Sequence, residues 1–270
     1  MPRALDIGLG LTSGPVAEST GVDISGIHWV KFGANSYLER FAGLVFGVAA
    51  AQNFVASFWL WPQGSLVRRG IVSMNDPTTG TVSWFGVSSN ADRTITAHAS
   101  DTSSGDAITG DPAGGPAAAP GPIHVYVTAD KNRVTASERI QVWHNGAKVA
   151  ESDWDDSSKT FRLDGSPFWC GRIASGTYDQ TAWDMWIGAV WFTGGLAQAD
   201  FDALSVSDFY VAGVAQDLGA TGKLPSGARD FGPYCYFDVR SGEDAADFAT
   251  NKSTFGGAFL LNGTLLEAWG

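Results

Sequence analysis

From Phe54 to Trp61 the chain reads Phe-Val-Ala-Ser-Phe-Trp-Leu-Trp, and alternate positions differ in character. Phe54, Ala56, Phe58 and Leu60 make one set, and Val55, Ser57, Trp59 and Trp61 make the other. Successive side chains of a strand point to opposite faces, so the pattern predicts a strand with one core face and one tryptophan-bearing face. Pro62 ends it, since proline cannot donate to a ladder. The same period recurs where Ile140 and Val142 alternate with Gln141 and Trp143 before Asn145-Gly146. Both central residues of a type I′ turn need φ > 0, so Asn-Gly between two such runs predicts a hairpin over 138–151.

Further strand-like runs cover Ile27–Lys31, Ser36–Leu38, Gly70–Met74, Thr81–Val87, Arg93–Ala99 and His124–Thr128. Others follow at Thr160–Leu163, Phe168–Ile173, Trp183–Phe192, Tyr234–Val239, Gly257–Leu261 and Thr264–Ala268. Several of them recur at intervals of about ten residues, the rhythm of a β-sandwich or barrel. One short helix is predicted near Ala197–Leu204, with Asp200 and Asp202 close to its positive end. Residues 1–26 are weakly patterned and predict an extended N-terminal arm. Periodicity vanishes over 101–122, where Ser, Gly, Ala and Pro predict a long flexible loop. Residues 209–270 predict a loop-rich C-terminal segment that completes the sandwich. Strands of one character flank the loop, so 1–270 is expected to be a single all-β domain.

Composition agrees with this class. Hydrophobic residues make up 44% of the 270 and charged residues only 17%, with 34 Gly, 11 Pro and 11 Trp. The net charge of −11 sets the chain against nucleic acid or an anionic membrane surface as partner. No run reaches the length of a membrane span, and the first residues lack the apolar stretch of a signal peptide. Cys170 and Cys235 stand far apart and make no disulfide framework, so free, partly buried thiols are expected.

Taken in order, several segments resemble the concanavalin A-like, laminin G-like jelly roll. They are Ala34-Asn-Ser-Tyr-Leu38, Phe54 to Trp59, Val125-Tyr-Val-Thr128, the hairpin from Val142 to Val149, and Gly188-Ala-Val-Trp-Phe192 with Leu196 and 199–204. The match covers about residues 34–205 and implies two antiparallel sheets with one short helix. Where the family often carries an acidic residue, this chain has Gly188, with Asp184 the nearest carboxylate. The stretches 222–227 and 256–264 resemble the ends of such domains in tailed-phage virion proteins.

Glu151-Ser-Asp-Trp-Asp155 is one carboxylate short of the Glu-x-Asp-x-Glu signature of jelly-roll glucanases. Positions i and i+4 of a strand lie roughly 13 Å apart at about 3.3 Å per residue. A retaining glycosidase pair needs about 5–5.5 Å, so the reach argument sets catalysis by Glu151 and Asp155 aside. The chain is therefore expected not to be an enzyme. No cofactor is implied. Calcium stays open, because Asp101, Asp106 and Asp111, and Asp153, Asp155 and Asp156, place hard oxygens in loops without the spacing of an EF-hand. His28, His98, His124 and His144 show no zinc arrangement, and His144 is expected to be exposed beside the turn.

The tryptophans remain. Trp59, Trp61 and Trp143 fall opposite the aliphatic positions of their strands, with Trp84 a fourth candidate. In the resembling fold that is the concave face, and aromatic rings suit both sugar C–H faces and protein interfaces. These four are the candidate ligand-binding residues. The expected function is a non-enzymatic virion structural protein (spike, fibre or decoration) whose jelly roll contacts host surface polysaccharide. The alternative is a purely structural virion or adaptor subunit without glycan binding. Either would assemble in the cytoplasm with other virion proteins and work as a homo-oligomer or within a larger assembly.

Overall fold

The computed structural model describes residues 27–40, 52–62, 69–74, 85–89, 95–100, 107–110, 121–152, 168–175, 178–181, 185–224, 233, 235–240, 243–253 and 257–269. The first strands are β1 (Trp29–Phe32), β2 (Tyr37–Arg40), β3 (Asn53–Pro62), β4 (Arg69–Met74), β5 (Phe85–Ser89), β6 (Ile95–Ser100) and β7 (Ala107–Gly110). Next come β8 (Ile123–Asp130), β9 (Ile140–His144), β10 (Ala147–Ser152), β11 (Phe168–Cys170), β12 (Arg172–Ser175), β13 (Tyr178–Thr181) and β14 (Met185–Gly194). The last are β15 (Tyr210–Val211), β16 (Val214–Ala215), β17 (Cys235–Phe237), β18 (Leu260–Asn262) and β19 (Leu265–Trp269).

The helix expected near 197–204 is α1 (Gln198–Asp202), and a second short helix, α2 (Ala245–Phe248), joins it among the described residues. The second is set by a reciprocal cap. The Asp244 carboxylate accepts from the Ala246 N–H at 2.7 Å, and the Asp247 carboxylate accepts from the Asp244 N–H at 2.8 Å.

The strands form two large antiparallel sheets. One has eight strands in the order β10-β9-β8-β3-β14-β1-β19, with β17 also paired to β14; the other runs β18-β2-β11-β4-β5-β6-β7. The fold is a jelly-roll β-sandwich. The C-terminal segment contributes to both layers, since β17 and β19 join the first sheet and β18 the second. Within 101–122, expected to be loop, Ala107–Gly110 forms a strand paired to β6. Its Ile108-Thr109 pair is β-branched and extends an open sheet edge, which outweighs the surrounding loop composition. The predicted arm and the predicted strand at Thr160–Leu163 lie outside the described residues.

The core lies between the sheets and follows the alternation. Phe54, Ala56, Phe58 and Leu60 of β3, and Ile123, Val125, Val127 and Ala129 of β8, meet Leu38, Ile71, Val72 and Phe168 of the facing sheet. Phe168 and Phe192 touch across the layers with ring centroids 5.3 Å apart. Cys170 and Cys235 are both free and buried here. Burial pushes both thiols well above their ordinary values, so they act as small hydrophobes. At the Asn145-Gly146 turn φ is 49° and 79°, the geometry that the pair requires.

Candidate functional site

The site is built on the outer face of the eight-stranded sheet, the face away from the inter-sheet core. Val55, Ser57, Trp59 and Trp61 point there from β3, while His124, Tyr126 and Thr128 do so from β8. On β14 the register slips by one residue between Ile187 and Val190, so Gly188 and Ala189 together face Trp59. A bulge of this kind re-aims the side chains beyond it, and Trp191 comes to stand beside Ser57 on the same face.

A side chain at 188 would have no room, since a Cβ there meets Trp59 Cβ at 2.8 Å and Ile27 Cγ2 at 2.9 Å. This gives a steric reason for glycine where the resemblance expects an acid. An acidic side chain would also lie against a tryptophan without a partner.

The face is covered, and the cover comes from residues 201–224. Phe201, Leu204, Phe209, Leu218 and Leu224 pack on Val55, Tyr126 and Trp191. Burying each of these apolar side chains contributes about 1.5–3 kcal/mol. Tyr210, on the β15–β16 hairpin, lies flat on His124 with rings 5.4 Å apart and 3° from parallel, and also touches Trp59. Beyond it, Trp29 meets Trp59 and Trp61 edge to face at 6.4 and 5.8 Å.

The expected tryptophans are therefore not an open platform. Trp59 and Trp61 do point away from the inter-sheet core, yet each is only 4% exposed. Tyr210 covers Trp59, and Trp29 packs on both Trp59 and Trp61. Trp143 is half-buried against Tyr126 at 5.1 Å. Trp84 lies outside the described residues.

Between sheet and cover remains a cavity of about 880 Å³, lined by Trp59, Trp191, Phe209 and Tyr236 on its apolar sides. Trp191 Nε1 donates to the Gly222 carbonyl at 2.8 Å, so the ring offers the cavity carbon. Trp61 and Trp143 do not line it.

Its polar end comes from the stretch Tyr236-Phe-Asp-Val-Arg240, in which Tyr236, Asp238 and Arg240 take alternate positions and line the cavity. The Tyr236 hydroxyl donates to Asp238 Oδ2 at 2.9 Å. Arg240 lies 3.7 Å from Asp238 and 3.6 Å from Asp217, and Nη2 also donates to the Gly219 carbonyl. Asp217 Oδ1 in turn accepts from the Gly219 N–H at 2.8 Å. Exposure rises toward the mouth, from 17% at Asp238 through 32% at Arg240 to 87% at Asp217. Burial pushes the Asp238 carboxyl above its ordinary value, against the pull of the Tyr236 hydroxyl, Lys252 and Arg240.

A serine and a histidine also meet here, with Ser57 Oγ and His124 Nε2 2.9 Å apart. Burial pushes the His124 imidazole down to about 3, with His144 adding to the shift, and its Nδ1 has no hydrogen-bond partner among the described residues. No carboxylate among the described residues holds Nδ1, where the arrangement that activates a serine nucleophile has one. His144 is half-buried instead of exposed, because it pairs with Val125 of β8, a residue of the inter-sheet core.

Glu151 is exposed and paired with Lys148 at 2.6 Å, as a solvated hairpin end would be. Asp155 and the other aspartates named for calcium lie outside the described residues. Among the described residues no group of three or more His, Cys, Asp or Glu could hold a metal ion.

No protein-family model matches the chain, and no curated protein does. Solved structures do resemble it. A candidate carbohydrate-binding protein from Bacteroides ovatus is 16% identical at a TM-score of 0.51, over 90% of this chain and 60% of that one. This chain thus spans about three fifths of that protein's length. A heptameric pentraxin from Limulus polyphemus is 15% identical at 0.42, over 63% of this chain and 77% of that one. Domains LG4-5 of the mouse laminin α1 chain are 10% identical at 0.45, over 67% of this chain and 44% of that one. At 16% identity the likeness to the Bacteroides ovatus protein bears on the fold alone.

Proposed function

We propose that this chain is a non-enzymatic carbohydrate-binding jelly roll that holds its ligand in the covered cavity. The observation that carries the reading is the cavity itself. Aromatic carbon lines its sides through Trp59 and Trp191, and convergent donors and acceptors line its end through Tyr236, Asp238 and Arg240. Sugars present alternating apolar C–H faces and hydroxyl edges, and this division of surface suits both. The carbohydrate-binding description of the Bacteroides ovatus neighbour agrees in kind, while the cavity carries the argument.

Of Trp59, Trp61 and Trp143, Trp59 is the ligand-facing one, and Trp61 supports it through Trp29. The reading treats residues 1–270 as one domain. It also sets that domain on the exterior of a phage-type particle, as spike, fibre or decoration, assembled in the cytoplasm and meeting host surface polysaccharide. The support for that setting is the sequence resemblance of stretches 222–227 and 256–264.

A glycan array with the whole chain tests the reading, followed by titration of the best ligand. Replacing Ala215 with Phe fills the cavity from its hairpin wall while leaving the polar end intact. Binding that disappears in this variant, with an unchanged near-ultraviolet circular dichroism spectrum, is the expected result. Array binding that survives it unaltered overturns the site, and an empty array overturns the function.

A further inference from the structure

We infer that the cavity selects neutral, hydroxyl-rich sugar residues and rejects sugars that carry a carboxylate, such as sialic acids and uronic acids. The inference rests on the carbohydrate reading above and names its ligand class.

Arg240 supplies the one guanidinium of the polar end among the described residues. Arg240 would be the natural partner for an anionic sugar, because its planar fork matches a carboxylate. Here the guanidinium is already flanked by two carboxylates, although its Nε has no hydrogen-bond partner among the described residues. Asp238 holds it on one side at 3.7 Å and Asp217 on the other at 3.6 Å, while the Gly219 carbonyl takes an Nη2 hydrogen. One positive charge thus stands between two negative ones. Farther out Lys252 pairs with Glu243, so the second cation brings its own anion. Summed over Asp217, Asp238, Glu243, Arg240 and Lys252 the corner carries one net negative charge, in a chain of net charge −11.

A sugar carboxylate entering here would meet Asp238 in a partly desolvated setting. Like charges repel more strongly there than in water, and the carboxylate would lose hydration while Arg240 and Lys252 already face carboxylates of the chain.

A neutral sugar fits the same groups. The Asp238 carboxylate accepts one hydrogen bond from Tyr236 and retains lone pairs for sugar hydroxyls. Hydroxyls donate to carboxylates as charge-assisted bonds, which are about twice as strong as neutral ones. Gln216 and Ser57, also on the wall, add groups that both donate and accept. The apolar faces of the sugar then lie toward Trp59 and Trp191, where no charge is present to be compensated.

The test uses matched probes on the whole chain, namely lactose against 3′-sialyllactose and trigalactose against trigalacturonate, titrated calorimetrically at 50 and 500 mM salt. The neutral member of a pair is expected to bind at least tenfold more tightly, with affinity nearly independent of salt. Asp238→Asn keeps the shape and is expected to cost the neutral sugar tenfold or more. Asp217→Asn removes one of the two carboxylates beside Arg240 and is expected to narrow the gap between the neutral and the acidic member of a pair by threefold or more. Equal or tighter binding of the acidic members by the wild-type chain overturns this inference and leaves the carbohydrate reading standing. Glycan binding confined to acidic sugars on a wider array does the same. An absence of binding to every glycan overturns both.

Discussion

Replacing Gly188 with Ala probes the joint between the fold and its cavity. The added Cβ would stand 2.8 Å from Trp59 Cβ and 2.9 Å from Ile27 Cγ2, both closer than carbon atoms approach without displacement. Trp59 Cβ is fixed by the backbone of β3, which is hydrogen-bonded on both sides to β8 and β14, so no rotamer change moves it away. Ile27 is 5% exposed and packed among Trp29, Trp59 and Trp186, which leaves little room to rotate. Overpacking of this kind costs about 1–3 kcal/mol. Alanine recovers part of it, because glycine in a strand is worse by roughly 0.5–1 kcal/mol. The net expectation is a destabilisation of about 1–2 kcal/mol, which lowers the thermal midpoint by roughly 2–8 °C in a chain of this size.

Circular dichroism melting of Gly188→Ala against wild type reads this directly. Adding Ile27→Ala removes one of the two clashes and should make the pair of substitutions less costly than their sum, by about 0.5 kcal/mol or more. A Gly188→Ala midpoint equal to or above wild type would refute the packing argument, and with it the steric reason for glycine at that position.

Three further outcomes follow from the same geometry. Ala212 has φ of +48° in the β15–β16 turn, so Ala212→Gly is expected to stabilise by up to about 1 kcal/mol, read as a raised midpoint; a lowered one contradicts it. Burial holds His124 at about 3 and His144 at about 4, so the unfolded chain binds more protons below the ordinary histidine value of 6.5. Their contribution is therefore full above pH 6.5 and is lost as pH falls, by roughly 1.4 kcal/mol per histidine and pH unit, until about 4 for His144 and about 3 for His124. Melting from pH 7 to pH 5 should show the decline, His144→Asn should flatten it, and an unchanged slope counts against the assignment. Cys170 and Cys235 are fully buried with raised thiols, so a thiol reagent should label neither in the native state and both in denaturant. Rapid native labelling would contradict that placement.

Much of the architecture is legible where a single strand decides it. The split of Phe54, Ala56, Phe58 and Leu60 from Val55, Ser57, Trp59 and Trp61 is a local property of the pleat, and it survives in the folded chain. The Asn145-Gly146 turn is likewise local. What covers the second face is a long-range fact. Nothing between 54 and 61 says that Phe201, Phe209, Tyr210 and Leu218 come back over it. Trp59 and Trp61 are thus placed on the expected face while their exposure is not.

The bulge at 188–189 is equally hidden, since it depends on register against β3, though the Gly188-Ala189 pair is a sequence trace of it. The polar end has a trace in the sequence as well. In Tyr236-Phe-Asp-Val-Arg240 the polar residues alternate with Phe237 and Val239, as they would along one wall. The second helix had its trace too, in the Asp244-x-x-Asp247 cap.

The central claim is that the covered cavity holds a neutral glycan, and diffraction from crystals grown with the tightest neutral oligosaccharide tests it most directly. A sugar ring lying between Trp191 and Arg240, with hydroxyls within 3.2 Å of the Asp238 carboxylate, is the expected result. A sugar bound on any other face of the sandwich, with the cavity holding only water, would contradict it.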